Sequence, residues 1–67
     1  MRQNKPHMYE AGDLLTCRHD RSIFYLVLET GFHYGQQTNT YKVFDLKDSS
    51  AWVEFQPYIE YNFIRAA

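Results

Sequence analysis

Residues 23–30 read IFYLVLET, and this stretch decides the fold. It opens with six consecutive apolar residues, among them the β-branched Ile23 and Val27 and the aromatic Phe24 and Tyr25. Side chains of these two kinds fit the pleated, half-buried surface of a β-sheet. A short apolar run between polar segments is typical of a strand. We therefore predict a strand over residues 23–30.

Turn-forming residues divide the rest of the chain into short segments. Apolar residues recur at every second position in Ala51, Val53 and Phe55, which is the period of a strand. A flexible loop is predicted over residues 31–39, which contain two glycines and several Gln, Thr and Asn residues. Pro57 has no backbone N–H to donate, so it should end a strand and begin a short helical turn. The other four predicted strands are residues 14–17, 40–46, 51–56 and 59–64.

These segments predict an all-β domain. Five short strands joined by successive turns form an antiparallel meander, and closing it into a barrel removes its exposed edges. The predicted fold is one small five-stranded SH3-like barrel over residues 9–67. Residues 1–8 are predicted to be a disordered tail, because they are polar up to Met8.

Composition limits the function classes. The chain has 67 residues, one cysteine and a net charge of −1. One cysteine excludes an intramolecular disulfide, and the charge gives no long-range attraction to nucleic acid or to an anionic membrane. The polar start does not resemble a signal peptide, and no apolar run is long enough for a membrane span. The expected location is the cytoplasm, or the cytoplasm of the host cell if the protein is viral.

The predicted central strand has apolar side chains on both faces. Either Phe24, Leu26 and Leu28 or the alternate set in this strand must therefore lie away from the local core. The side chain of Trp52 points to the opposite face of its strand from those of its apolar neighbours, so it raises the same question. Contiguous exposed apolar area usually marks an interface, and self-association is its commonest form. The predicted interface residues are Ile23, Tyr25, Val27 and Trp52.

Binding of single-stranded nucleic acid is the alternative prediction. Small barrels bind single strands by stacking bases on aromatic rings beside a basic groove. Acidic residues are interleaved with the basic ones, however, and the net charge is slightly negative. The electrostatic contribution that usually dominates such binding is therefore missing. The predicted contacts for this alternative are Arg18, Arg21, Lys42, Lys47 and Tyr34.

No catalytic, cofactor or metal site is predicted. A zinc site needs four ligands at defined spacing, and the chain offers Cys17 with three scattered histidines. Cys17 and His19 would share a face if they lay on one strand, but a nucleophile also needs an oriented third group and a pocket. The prediction is a non-enzymatic module without a small-molecule substrate.

Several short motifs resemble those of a known family. The chain reads YEAGDLL over 9–15, RHDRS over 18–22, LVLE over 26–29, YKVF over 41–44 and SAWVEF over 50–55. This order is similar to that of short SH3-like barrel proteins encoded by tailed bacteriophages, notably those of marine cyanobacteria. Arg21 and Tyr25 stand where that family has glycines. The resemblance implies a barrel fold over residues 9–64 and a viral source, and it carries over no active site. The predicted interaction module would then be a phage accessory protein.

Overall fold

The computed structural model describes residues 5–66. Five strands, each antiparallel to its neighbours, form one open sheet, and one short helix lies between the last two strands. The prediction of a mostly β fold with five antiparallel strands is confirmed. The sheet is not closed, since its order is β4-β3-β2-β1-β5 and β4 and β5 lie at its two ends. The elements are β1 (Leu14–Cys17), β2 (Asp20–His33), β3 (Thr38–Asp45), β4 (Ser50–Phe55), α1 (Gln56–Asn62) and β5 (Phe63–Arg65).

The hairpin of β2 and β3 is longer than the sequence predicted. β2 extends to His33 and pairs there with Thr38, so residues 34–37 alone form the turn. The predicted loop over residues 31–39 is therefore wrong. Gly31 lies opposite Thr40, and a methyl group on Gly31 would come within 3.1 Å of the Thr40 hydroxyl oxygen. This glycine permits a close approach of two strands.

The helix replaces part of the last predicted strand. Residues 59–62 belong to α1, and β5 begins only at Phe63. The predicted helical turn at Pro57 is thus a seven-residue helix with this proline in its first turn. Ile59, at the centre of α1, is fully buried against the sheet. Its burial ties the helix to the sheet.

Among residues 5–66, eight buried side chains form the core on the inner face of the sheet. Within the core, the Tyr25 ring stacks on Phe63 with 4.4 Å between centroids and meets Trp52 edge-on at 5.3 Å. Cys17, Ile23 and Trp52 pack around the margin and are partly buried. The core residues are Tyr9, Leu15, Tyr25, Val27, Tyr41, Val43, Ile59 and Phe63.

Residues 5–9 lie along β3 and α1. The backbone N–H groups of Met8 and Tyr9 both donate to the Tyr41 hydroxyl, at 3.0 and 3.1 Å. Gln56 donates from Nε2 to the carbonyl oxygen of Pro6 at 3.0 Å. Of the predicted tail, residues 1–4 lie outside the described part of the chain.

Candidate interaction surface

The strand register shows which residues share the side of the sheet opposite the core. Leu14 pairs with Leu26, Leu26 with Phe44, and Phe44 with Ala51, so four apolar residues form one row across β1, β2, β3 and β4. Phe24 and Ile64 lie in the adjacent row, on either side of Thr16. Val53 extends the surface along β4. We name this surface the outer face, with the members Leu14, Phe24, Leu26, Phe44, Ala51, Val53 and Ile64.

The outer face is accessible to solvent. Leu14, Ala51 and Val53 are exposed, Val53 by 58% of its surface, while Phe24 and Leu26 are half-buried. Of the two aromatic members, Phe44 lies between β2 and β4, and Phe24 pairs with Thr16 of β1. The sheet therefore presents a row of apolar side chains that is at least partly accessible to solvent.

Two of the predicted interface residues belong to the core instead. Tyr25 and Val27 are 9% and 1% exposed, so their assignment to an interface is wrong for the folded chain. Val27 faces Val43, and Tyr25 stacks on Phe63, which β5 brings beneath the sheet. The outward set of β2 is the alternative one, which contains Phe24 and Leu26 together with Leu28. Leu28 is the additional residue of a β-bulge and is exposed.

In β4, too, the predicted interface residue faces the core and its apolar neighbours face solvent. Trp52 lies opposite Val43, packs against the core and donates from Nε1 to the Glu54 carboxylate at 3.1 Å. Ala51, Val53 and Phe55 are exposed. Trp52 is thus half-buried, as is Ile23, and neither lies on the outer face. The large ring fills the margin of the core, and the smaller apolar residues beside it face solvent.

The predicted nucleic-acid contacts are distributed over the molecule. Arg21 and Lys47 are exposed where β2 begins and β3 ends, whereas Tyr34 lies in the turn at the other end of these strands and is 79% exposed. Arg18 lies 5.7 Å from the centroid of the Tyr61 ring on α1. Lys42 lies 3.9 Å from the Glu29 carboxylate at the border of the outer face. The five side chains do not line one groove.

Cys17 and His19 do not lie on one strand. β1 ends at Cys17, which packs against the core, and His19 lies in the exposed turn that follows. Within the described range 5–66, no three His, Cys, Asp or Glu side chains are grouped so that they could hold a metal ion.

A shallow cleft of about 680 Å³ lies between residues 5–8 and α1. Glu60 is the acidic residue in its lining, and its Oε2 atom accepts hydrogen bonds from Gln56 Nε2 at 2.9 Å, from the Met8 N–H at 3.0 Å and from the Tyr41 hydroxyl. Burial alone would raise the pKa of Glu60, but these hydrogen bonds outweigh burial and lower the pKa below its ordinary value. Burial and the bond to Glu60 raise the pKa of Tyr41. Glu60 is therefore an ionised structural acceptor that holds residues 5–9 in place.

Comparisons with known proteins give no match, whether with protein-family models, with curated proteins or with solved structures. Of the elements in the described region, none is a helix with the length and apolar character needed to cross a membrane. The geometry of the chain itself is the basis for a functional proposal. The members of the outer face on β1 and β3, Leu14 and Phe44, were not predicted, because only the register between strands places them in one row.

Proposed function

We propose that this chain is a non-enzymatic interaction module that associates with a second copy of itself, or docks on a protein partner, through its outer face. The observation that carries this proposal is the row Leu14, Leu26, Phe44 and Ala51, which crosses four strands without a charged side chain. Contiguous exposed apolar patches on small domains usually mark interfaces.

Small size supports the same proposal. A core of eight residues in a chain of 67 stabilises a fold by only about 3–5 kcal/mol, and small domains often gain the remainder by association. Removing apolar area from water contributes roughly 25 cal/mol per Å². Covering the outer face would therefore stabilise the fold and the assembly together.

We further propose that the open sheet is a variant of the SH3-like barrel. Its support is the connectivity, since a meander of four strands is followed by a short helix and by a fifth strand that pairs with β1. A phage accessory role and a cytoplasmic location remain predictions from the sequence motifs and composition. Single-strand nucleic-acid binding also remains a prediction, and no observation of the fold favours it over association through the outer face.

Sedimentation velocity over a range of protein concentrations tests the proposal. We expect the weight-average molar mass of the wild-type protein to rise above the 8.1 kDa of one chain as the concentration increases, because covering the outer face requires a second molecule. Leu14→Lys places a charge within the apolar row and should reduce this rise. Tyr34→Lys is the matched control, since Tyr34 is more exposed than Leu14 and lies outside the outer face.

Two results would count against association through this surface. One is a wild-type chain that stays at the mass of a monomer at millimolar concentration. The other is an equal loss of association in Leu14→Lys and Tyr34→Lys, which would point to a general effect of added charge. Titration of a fluorescent oligonucleotide at low salt is a parallel measurement, and tight binding there would favour the nucleic-acid alternative.

A further inference from the structure

Strand β4 forms an edge of the sheet that has few of the usual protective features. Protein edges are commonly protected by Lys or Pro residues, by inward-pointing charges, by bulges or by very short strands. β4 has six residues without Lys or Pro, and it pairs with β3 in continuous register from Ser50 to Phe55. Its one charged residue, Glu54, lies opposite Tyr41 on the inner side and is the one such feature of this strand. At the other end of the sheet, β5 has three residues and ends at Arg65, whose guanidinium lies 3.2 Å from Asp13.

The backbone of β4 has hydrogen-bonding capacity on its outer side. In an antiparallel pair, the N–H and C=O groups of alternate residues point away from the neighbouring strand. Across residues 5–66, the backbone hydrogen bonds made outside the strand ladders and the helix do not include any residue of β4. Solvent is thus the partner of these groups in the monomer, and another strand could replace it.

The sequence of β4 limits how two copies could pair. If the two-fold axis is perpendicular to the sheet, the outer faces of both copies lie on the same side. One residue of β4 must then pair with the same residue of the second copy, and the axis passes between these two residues. An axis at Glu54 would place two carboxylates opposite each other, which is unfavourable. An axis at Trp52 would place Phe55 opposite Ser49, which lies outside the partner's β4, so the largest exposed side chain of the strand would lack a partner within it.

An axis at Val53 gives complementary pairs. Val53 then faces the partner's Val53, and Ala51 faces the partner's Phe55, so a small side chain meets a large one on the outer face. Trp52 faces the partner's Glu54, and these two side chain types already form a hydrogen bond within one chain at 3.1 Å. No like charges are opposed in this register.

We propose that two copies of this chain pair antiparallel through their β4 edges, with Val53 on the two-fold axis, to form one continuous ten-stranded sheet. The pairing adds main-chain hydrogen bonds between the two edges and brings the outer faces of both copies to one side of the sheet, with a Lys42–Glu29 pair beside Val53 in each copy. This edge contact rests on an observation separate from the outer face, and it supplies the larger surface through which the proposed docking function would act.

Oxidative crosslinking of single cysteines tests the register. In a Cys17→Ala background, Val53→Cys and Ala51→Cys are compared under mild oxidation, with Tyr34→Cys reporting random collision. With the axis at Val53, the Cα atoms at position 53 lie about 5 Å apart and those at position 51 about 14 Å apart. A disulfide forms only below about 7 Å, so we expect Val53→Cys to crosslink at least about tenfold faster than the other two variants.

Other rates would overturn the proposal. With the axis at Trp52, the two copies of residue 51 would lie about 8 Å apart, and so would the two copies of residue 53. Equal crosslinking rates for Val53→Cys and Ala51→Cys would therefore reject the proposed register. A rate for Val53→Cys no greater than that of Tyr34→Cys rejects the edge contact itself. All three positions are exposed, so the variants should fold, and circular dichroism of each would verify this.

Repeating the crosslinking with Leu14→Lys added separates this contact from association through the outer face. Persistent crosslinking at Val53→Cys is expected, because Leu14 lies on β1, three strands from β4. Loss of the crosslink would overturn the edge contact and leave the proposed function intact. Conversely, rapid crosslinking of Val53→Cys together with a wild-type chain that never exceeds the mass of a dimer in sedimentation would support the edge contact and contradict association through the outer face.

Discussion

Ser49 ends the turn between β3 and β4 with a φ of 55°, in the left-handed region. An L-residue with a side chain is disfavoured there by roughly 1–2 kcal/mol, whereas glycine is not. The Ser49 N–H donates to the Asp45 carbonyl oxygen at 2.8 Å, a bond that glycine would retain. We expect Ser49→Gly to raise the free energy of unfolding by about 0.5–1 kcal/mol in urea denaturation.

Ser50 provides the matched control for that substitution. It is the neighbouring serine, exposed, and already within β4. Ser50→Gly should lower the free energy of unfolding by about 0.5–1 kcal/mol, because glycine weakens a strand. Equal effects of the two substitutions would contradict the left-handed turn.

Glu60 gives the fold an acid sensitivity. Its pKa is lowered in the folded chain from its ordinary value of 4.5, so its ionised form stabilises the fold above that value. This stabilisation is lost as the pH falls through the folded pKa. We expect the free energy of unfolding of the wild type to fall more steeply below about pH 5 than that of Glu60→Gln.

The glutamine variant also removes an ionic acceptor from the Met8 N–H and the Tyr41 hydroxyl. Glu60→Gln should therefore be less stable than the wild type at neutral pH and approach it in acid. Amide hydrogen exchange at Met8 and Tyr9 should be faster in the variant at neutral pH. Parallel pH profiles for the two proteins would show that Glu60 is not responsible for the acid sensitivity.

At the scale of single elements, α1 depends on one side chain. Ile59 is fully buried, whereas the neighbouring Tyr58 is about half exposed. We expect Ile59→Ala to cost about 2–5 kcal/mol, which is comparable with the whole stability of a domain of this size. Tyr58→Ala is the control and should cost much less. A cooperative thermal transition at the wild-type temperature in Ile59→Ala would contradict the anchoring role of this residue.

The same helix shows why the sequence predicted most strands correctly and misassigned residues 59–62. Ile59, Tyr61 and Phe63 alternate with polar or small residues, which is the period of a strand. A helix of seven residues buries one or two positions, so a period of 3.6 cannot emerge from it. Gln56 and Ile59 are buried through tertiary contacts, Gln56 beside Pro6 and Ile59 in the core, and a local pattern does not contain these contacts.

For the whole molecule, the sequence predicted an excess of apolar side chains but not the face on which they lie. Alternation separates Phe24 and Leu26 from Tyr25 and Val27, yet it does not state which pair is inside. The choice depends on Phe63, which β5 places beneath Tyr25, and on Leu14, Phe44 and Ala51, which the register places beside Leu26. These contacts join distant parts of the chain, so a local pattern cannot contain them.

The chemistry of the outer face also predicts how assembly responds to solution conditions. Sulfate strengthens apolar association because it is excluded from the protein surface, and cooling weakens this association because the hydrophobic effect becomes weaker. We expect the dissociation constant from sedimentation to decrease by several fold in about 0.5 M sodium sulfate, and to increase on cooling from 25 to 5 °C.

Sodium chloride should have a much smaller effect, since Lys42 with Glu29 is the ion pair at the border of this surface and is largely exposed. Leu14→Lys should lose most of the sulfate response, because its added charge lies within the apolar row. A steep weakening in sodium chloride would instead indicate that ion pairs between molecules hold the assembly together.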